Sequence, residues 1–183
     1  MRLLICGMWL TASALFATSA LSAASPEPDA GITLLFNGQD LSGWVTKKGE
    51  PLEKLTESPT KRFKASDGNL IIDEKVKGDL VINTTRTLGK DAHVKFEFLP
   101  GPGCNNDLFL HGLKFDLKKN DVKNLKEGEW NTFEIIVREH EAEFKNNGET
   151  LKTAKTKADS SPLGVRAEFG PIQFRRMQVK ESP

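Results

Sequence analysis

The sequence predicts an all-β fold, an antiparallel β-sandwich, on three observations. No stretch of about a dozen residues places apolar side chains at i, i+3, i+4 and i+7 behind a cap, so no strong helix is indicated. Short apolar or alternating segments recur instead, about eleven of them, each of strand length. Turn signals such as Asn37-Gly38, Asp67-Gly68 and Asn146-Asn147-Gly148 separate them at short intervals. Many short strands with frequent turns are the pattern of a sandwich or barrel.

The first residues read as an export signal. Arg2 supplies the positive start, residues 3–16 the apolar stretch, and Ser22-Ala23-Ala24 the small-x-small cleavage site. The apolar run is too short and too rich in Ser and Thr to span a bilayer core of roughly 30 Å. Cleavage after Ala24 places the product outside the cytoplasm, periplasmic or extracellular, with no membrane attachment. Residues 25–30 then form a flexible leader, and residues 31–183 a single domain. Cleavage removes Arg2 and no acidic residue, leaving 25 charges of each sign. That balance argues against a nucleic-acid partner. Cleavage also removes Cys6, so Cys104 is the one remaining thiol and an internal disulfide is excluded; the expected state is a buried, inert thiol.

The strands follow in order. Residues 32–36 form an apolar run that stops at Asn37-Gly38. Residues 42–60 are polar, contain Pro51 and Pro59, and are expected as a loop across one end. Residues 69–73 follow the Asp67-Gly68 turn, and residues 79–83 make another short strand. Over residues 92–99 the alternation is clean: Ala92, Val94, Phe96 and Phe98 face one way, His93, Lys95 and Glu97 the other. Gly101-Pro102-Gly103 marks a break. Residues 107–117 carry two apolar runs around Gly112. Over residues 131–138, Phe133, Ile135 and Val137 share a face. Residues 140–145 and 149–154 flank the Asn146-Asn147-Gly148 hairpin turn. Val165, Ala167 and Phe169 alternate with Arg166 and Glu168 and are expected to face the core. The last strand covers residues 172–180.

Chemistry-bearing residues are dispersed, with no P-loop, GxSxG, HExxH or dinucleotide glycine pattern. His93 and His140 lie in charged surroundings and read as solvent-facing. His111 stands in the most apolar part of the chain, as a structural residue or one pointing into a cleft. Arg166 and Glu168 are two apart in a strand and so share a face. Side by side they make either a solvated ion pair or a polar ligand site in which Arg holds the carboxylate as a base. Asn105, Asn106 and Asp107 follow the Gly-Pro-Gly break, as turn residues or as a polar cluster at the mouth of the sandwich, where their oxygens suit a hard cation.

Five segments together resemble the 3-keto-disaccharide hydrolase domain family. Residues 35–44, LFNGQDLSGW, are similar to its opening signature, and residues 63–70, FKASDGNL, to the strand pair that follows. Gly128-Glu129-Trp130-Asn131-Thr132-Phe133 is similar to its G-E-W-N motif. Asn146-Asn147-Gly148 matches its hairpin, and residues 163–177 are similar to its closing strand pair. The resemblance runs in order along nearly all of the chain after residue 30. It implies a concanavalin A-like jelly roll and a carbohydrate partner, a glycoside oxidised to a ketone at carbon 3. The ketone acidifies the carbon 2 proton; a base removes it, the carbon 1 substituent leaves, and water adds. Such chemistry needs a base, an acid for the leaving group, and enolate stabilisation, a role open to a divalent cation.

The chain departs from the family pattern at informative places. Asn105 is kept, but His111 stands where the family has Arg, Arg166 where it has Gln, and Glu168 where it has His; the middle of the domain is short. The resemblance therefore implies these roles: Glu168 as general base, Arg166 orienting it or stabilising the enolate, and His111 as proton donor. Asn105, Asp107, Lys114 and Asp116 would bind sugar hydroxyls or a cation. The alternatives are a non-catalytic carbohydrate-binding module, or an interaction sandwich, on the same fold.

Overall fold

The computed structural model describes residues 31–181. The expected export signal and leader lie outside the described residues. Thirteen strands run in order: β1 (Ile32–Leu34), β2 (Trp44–Thr46), β3 (Phe63–Ser66), β4 (Asn69–Ile72), β5 (Leu80–Leu88), β6 (Ala92–Pro100), β7 (Asn105–Leu110), β8 (Leu113–Leu117), β9 (Asn131–Arg138), β10 (Glu141–Asn146), β11 (Glu149–Lys155), β12 (Ser161–Phe169) and β13 (Ile172–Glu181). They form two antiparallel sheets. The larger has the order β11-β10-β9-β6-β13-β4-β3, with β1 also paired to β13; the smaller has the order β2-β5-β12-β7-β8. This is the antiparallel sandwich that the strand pattern predicts, with the jelly-roll architecture that the family resemblance implies.

Local sequence accounts for the hairpins. β3–β4, β7–β8 and β10–β11 are closed by two-residue turns, Asp67-Gly68, His111-Gly112 and Asn147-Gly148. Both residues of each turn have positive φ, at 53° and 78°, 48° and 73°, and 49° and 82°. That is the turn geometry whose twist matches the flanking strands.

The alternation places the core. Ala92, Val94, Phe96 and Phe98 are buried, as are Phe133, Ile135 and Val137. Phe96 stacks on Phe133 with centroids 5.4 Å apart. Phe115, from the smaller sheet, meets Phe133 at 5.0 Å and stacks on Phe144 at 4.9 Å, locking the layers together. Each such ring contributes roughly 1.5–3 kcal/mol through burial.

The motifs that carried the family resemblance hold corners of the fold. In the opening motif Leu35, Phe36, Leu41 and Trp44 are buried. Asn37 Oδ1 accepts the N–H groups of Gln39 and Asp40 at 2.8 and 3.0 Å, and Asp40 Oδ1 accepts that of Ser42 at 2.9 Å. The hydrogen bond from Asn37, then that from Ser42, holds the Asp40 carboxyl below its ordinary range. In the G-E-W-N motif, Asn131 is fully buried. Its Nδ2 donates to the carbonyls of Lys126 and Glu129, both at 2.9 Å, and its Oδ1 accepts Asn147 Nδ2 at 3.0 Å. Trp130 lies under Arg175, whose guanidinium carbon is 3.9 Å from the ring centroid.

Three local expectations need correction. The span 42–60, expected as a loop, contains β2, which pairs with β5. Asn105, Asn106 and Asp107 belong to β7 and not to a turn. Phe169, expected in the core, is 61% exposed. The β7–β12 register shifts between Arg166 and Phe169, where three steps on β12 oppose two on β7. That bulge reverses the alternation and turns Phe169 outward.

Candidate functional site

The outer face of the smaller sheet carries a row of charged residues set by strand register. Arg166 on β12 pairs with Asp107 on β7, and Asp107 pairs with Asp116 on β8. Two residues along, Phe109 pairs with Gly164 on one side and Lys114 on the other. The inner-facing neighbours Leu108, Phe115, Val165 and Ala167 are core residues. Period-two alternation thus sends the charged set to one face and the apolar set to the other.

Arg166 is the hub. Its Nε and Nη2 donate to Asp79 Oδ1 and Oδ2, both at 2.6 Å. Its Nη1 donates to Asp107 Oδ2 at 2.7 Å, and Nη2 lies 3.1 Å from Glu168 Oε1. The bond to Asp79, then that to Asp107, raises the Arg166 pKa still further above its ordinary value. In turn Arg166 lowers the Asp79 carboxyl.

Asp107 is fully buried, and among the described residues its Oδ1 has no hydrogen-bond partner. Burial pushes its carboxyl up, against the pull of Arg166. Asp116 behaves oppositely. Burial works to raise it, but hydrogen bonds from Lys114 and Asp107 outweigh burial and lower it. Lys114 Nζ is 2.6 Å from Asp116 Oδ1 and 3.6 Å from Asp107 Oδ1.

A cleft of about 560 Å³ opens beside this row. Phe109 and Val81 line it, Arg166 and Asp79 give it a charged edge, and Thr46, Lys47, Lys48, Glu50 and residues 58–60 complete its wall. An apolar floor with a few convergent polar groups is the usual composition of a ligand site.

The structure brings together Arg166, Glu168, Asp107, Lys114 and Asp116 from the sequence-predicted set. It does not bring His111 to them. His111 is the first residue of the β7–β8 turn, with φ of 48°, and is fully buried. Its Nε2 lies 3.1 Å from the Leu88 carbonyl oxygen, and its N–H donates to Ser161 Oγ at 2.7 Å. It stands four residues beyond Asp107, roughly 13 Å at about 3.3 Å per residue. The expectation of His111 as proton donor in this cluster is therefore corrected: it is a turn residue at the far end of the strand. Asn105 pairs with Phe169 past the bulge, with its Oδ1 buried and without a hydrogen-bond partner among the described residues. His93 meets Glu134 at 2.7 Å on the larger sheet, and His140 meets Asp159 at 3.4 Å. Cys104 is half-buried, and burial raises its thiol, in keeping with an inert group.

Two residues escaped the sequence reading. Asp79 looks like any acid before a strand; only folding sets it against Arg166, 87 positions away. Arg62 is buried and donates to the backbone carbonyls of Asp73, Val76 and Glu168, the last at 3.1 Å. It thereby ties the connection leading to Asp79 to the bulge that carries Glu168.

Among the described residues, no three His, Cys, Asp or Glu side chains are grouped to hold a metal ion. The cluster's carboxylates are already paired with Arg166 or Lys114. That donor set does not suit a divalent cation.

A two-sheet jelly roll with a cleft and a charged row on one outer face defines the class of this protein, an antiparallel β-sandwich. More particularly, the family model of the 3-keto-alpha-glucoside-1,2-lyase-like domain matches residues 31–124, and the chain belongs to that family. The matched segment includes Asp107, Lys114 and Asp116 and ends before Arg166 and Glu168. No curated protein matches the chain significantly. Solved structures share the fold. A candidate glycosyl hydrolase from Parabacteroides distasonis aligns with a TM-score of 0.65 at 17% identity, over 84% of this chain and 94% of that one. The carbohydrate-binding module CBM66 from Bacillus subtilis aligns at 0.55 and 9% identity, over 77% and 97%. A Bacillus subtilis protein of unknown function with a galectin-like fold aligns at 0.53 and 10% identity, over 69% and 93%.

Proposed function

We propose that this chain is an exported glycoside-processing hydrolase or lyase acting on 3-keto-glycosides. The observation that carries the reading is the Arg166 cluster at the edge of the cleft, in a chain of this family. A pyranose ring lies over Phe109, with its hydroxyls toward Arg166 and Asp79. Glu168 removes the carbon 2 proton that the neighbouring ketone acidifies. The guanidinium of Arg166 is placed to face the enolate charge that follows. The carbon 1 substituent then leaves as its oxygen gains a proton, and water adds to the product. The export part of the reading rests on the pattern of residues 1–24.

The test is release of the aglycone from a 3-keto-glucoside by the protein spanning residues 25–183, with and without chelator. Release above background is expected, and Glu168→Gln should lower it by about 10²-fold or more with little change in Tm. No release from a folded protein overturns the reading. One observation favours a second reading, a carbohydrate-binding domain without turnover: the Arg166 guanidinium already has three carboxylate partners. Retention on a glycan array without turnover would establish that alternative.

A further inference from the structure

With His111 placed elsewhere, the site needs another source for the proton that the leaving oxygen takes. The structure offers one. Asp107 and Asp116 face each other across the β7–β8 pair. Directly opposed Cβ atoms on paired strands stand about 4.5–5.5 Å apart. Asp107 is fully buried, and its Oδ1 lacks a partner among the described residues. Two carboxylates cannot both be charged at such range without a large penalty, so one of them keeps its proton. The surrounding charges decide which. Lys114, on β8, is 2.6 Å from Asp116 and 3.6 Å from Asp107, and Lys118 adds a weaker attraction to Asp116. Arg166, on β12, faces Asp107 but also serves Asp79 and Glu168. Around Arg166 and Lys114 there are thus four carboxyl groups and two close cations. The buried member of the pair, Asp107, is the one left to hold a proton, and its unpartnered Oδ1 is where that proton fits. The donor O–H then completes a hydrogen bond to Asp116.

We propose that Asp107 and Asp116 share one proton, and that Asp116 presents it to the leaving oxygen of the substrate. The delivery step rests on the hydrolase reading; the shared proton does not. Asp116 is about one-quarter exposed and stands diagonally across from Phe109 on the cleft floor. Diagonal neighbours on one sheet face lie about 7–8 Å apart, within reach of a sugar's substituent. The accounting closes. The one shared proton passes from Asp107 to Asp116 and on to the departing oxygen as the carbon 1–oxygen bond breaks, leaving the Asp116 carboxylate with Lys114 Nζ at 2.6 Å. The Asp107 carboxylate so formed is met by Arg166 Nη1, 2.7 Å from Oδ2. Glu168 meanwhile holds the carbon 2 proton. When water adds at carbon 1, its proton returns to the aspartate pair, and Glu168 returns its own to carbon 2. In this scheme Asp116 is the catalytic acid and Asp107 a positioning residue that stores the proton.

Two measurements on the protein spanning residues 25–183 test this. The first is the ¹³C NMR signal of the side-chain carboxyl carbons from pH 4 to 9. At pH 7 the Asp107 carbon should have the protonated shift and that of Asp116 the ionised shift. In Asp116→Asn the Asp107 titration should move to lower pH. An ionised Asp107 at pH 7 in the unaltered protein overturns the proposal, whatever the variant does. The second compares 3-keto-glucosides with an alkyl and a nitrophenyl leaving group. Asp116→Asn should lower kcat about 10²-fold on the alkyl substrate and far less on the nitrophenyl one, whose leaving oxygen needs no proton. Equal losses on both overturn the delivery step. If the unaltered protein releases neither group, the hydrolase reading falls with the delivery step, while the NMR result still decides the shared proton.

Discussion

Arg166 and Asp79 meet in a bidentate pair, Nε to Oδ1 and Nη2 to Oδ2 at 2.6 Å each, although 87 residues separate them. The pair closes the edge of the cleft and leaves Arg166 Nη1 free to meet Asp107. Among its three carboxylate partners, Asp79 lies at the surface and Asp107 in the interior, and these two should respond differently to mutation. Asp79 is well exposed, and its pair with Arg166 is worth only about 0–1 kcal/mol. Asp79→Asn should accordingly leave the denaturation midpoint nearly unchanged.

Removing the arginine should be costly. Arg166→Met leaves Asp107 fully buried without its cation. A buried polar group that loses its hydrogen-bond donor costs about 1–3 kcal/mol. The loss should be smaller at pH 5 than at pH 8, because the stranded carboxyl escapes its charge by binding a proton. Urea denaturation at the two pH values checks both the size and the trend.

Asp107→Asn should change the pH dependence of stability. Burial raises the folded-state carboxyl of Asp107 above its unfolded value. Between the two values the folded protein holds the proton and the unfolded chain does not, so stability falls as pH rises. The asparagine variant lacks that proton and should lose the downward slope. The difference in stability, variant minus unaltered protein, should grow from pH 4 upward until the folded-state carboxyl has ionised. A denaturation series from pH 4 to 8 measures it; parallel profiles would contradict the assignment.

Gly164 keeps the cleft floor in place. A Cβ there would lie 2.8 Å from Asn83 Oδ1 and 3.2 Å from the Phe109 Cβ. Asn83, Gly164 and Phe109 are direct neighbours across three strands. Gly164→Ala should displace Phe109, destabilise the fold by about 1–3 kcal/mol, and weaken ligand binding in the cleft more than Asp79→Asn does. Thermal denaturation and a binding titration separate the two effects.

Asn131→Ala should be destabilising at a distance from the site. It removes three part-buried hydrogen bonds, from Asn131 Nδ2 to the carbonyls of Lys126 and Glu129 and from the Lys126 N–H to Asn131 Oδ1. Each such bond contributes about 0.5–1.5 kcal/mol. A clear fall in Tm with an unchanged pH profile is the expected result.

Much of this protein is legible along the chain. Strand positions, buried faces and the Asn147-Gly148 turn depend on neighbours within a few residues, and alternation with period two is a local property. Ala92 to Phe98 and Phe133 to Val137 therefore fell on the faces that the sequence predicts. The opening motif and Asn131 could be recognised but not explained from sequence, because what they hold together becomes visible only in the folded turns. The outer face was another matter. That Arg166 shares a face with Glu168 follows from spacing. That it also meets Asp79 and Asp107 follows from which strands pair and in what register, and hydrogen bonding between distant segments decides that. The same cause separates His111 from the cluster and places Asp107 opposite Asp116. A single bulge on β12 sends Phe169 outward against its own pattern. The sequence by itself determined the layers and their apolar interior, because burial follows from local alternation. Only the tertiary structure decided which charges share the cleft, because cross-strand register is a property of pairs of strands and is written in neither one alone.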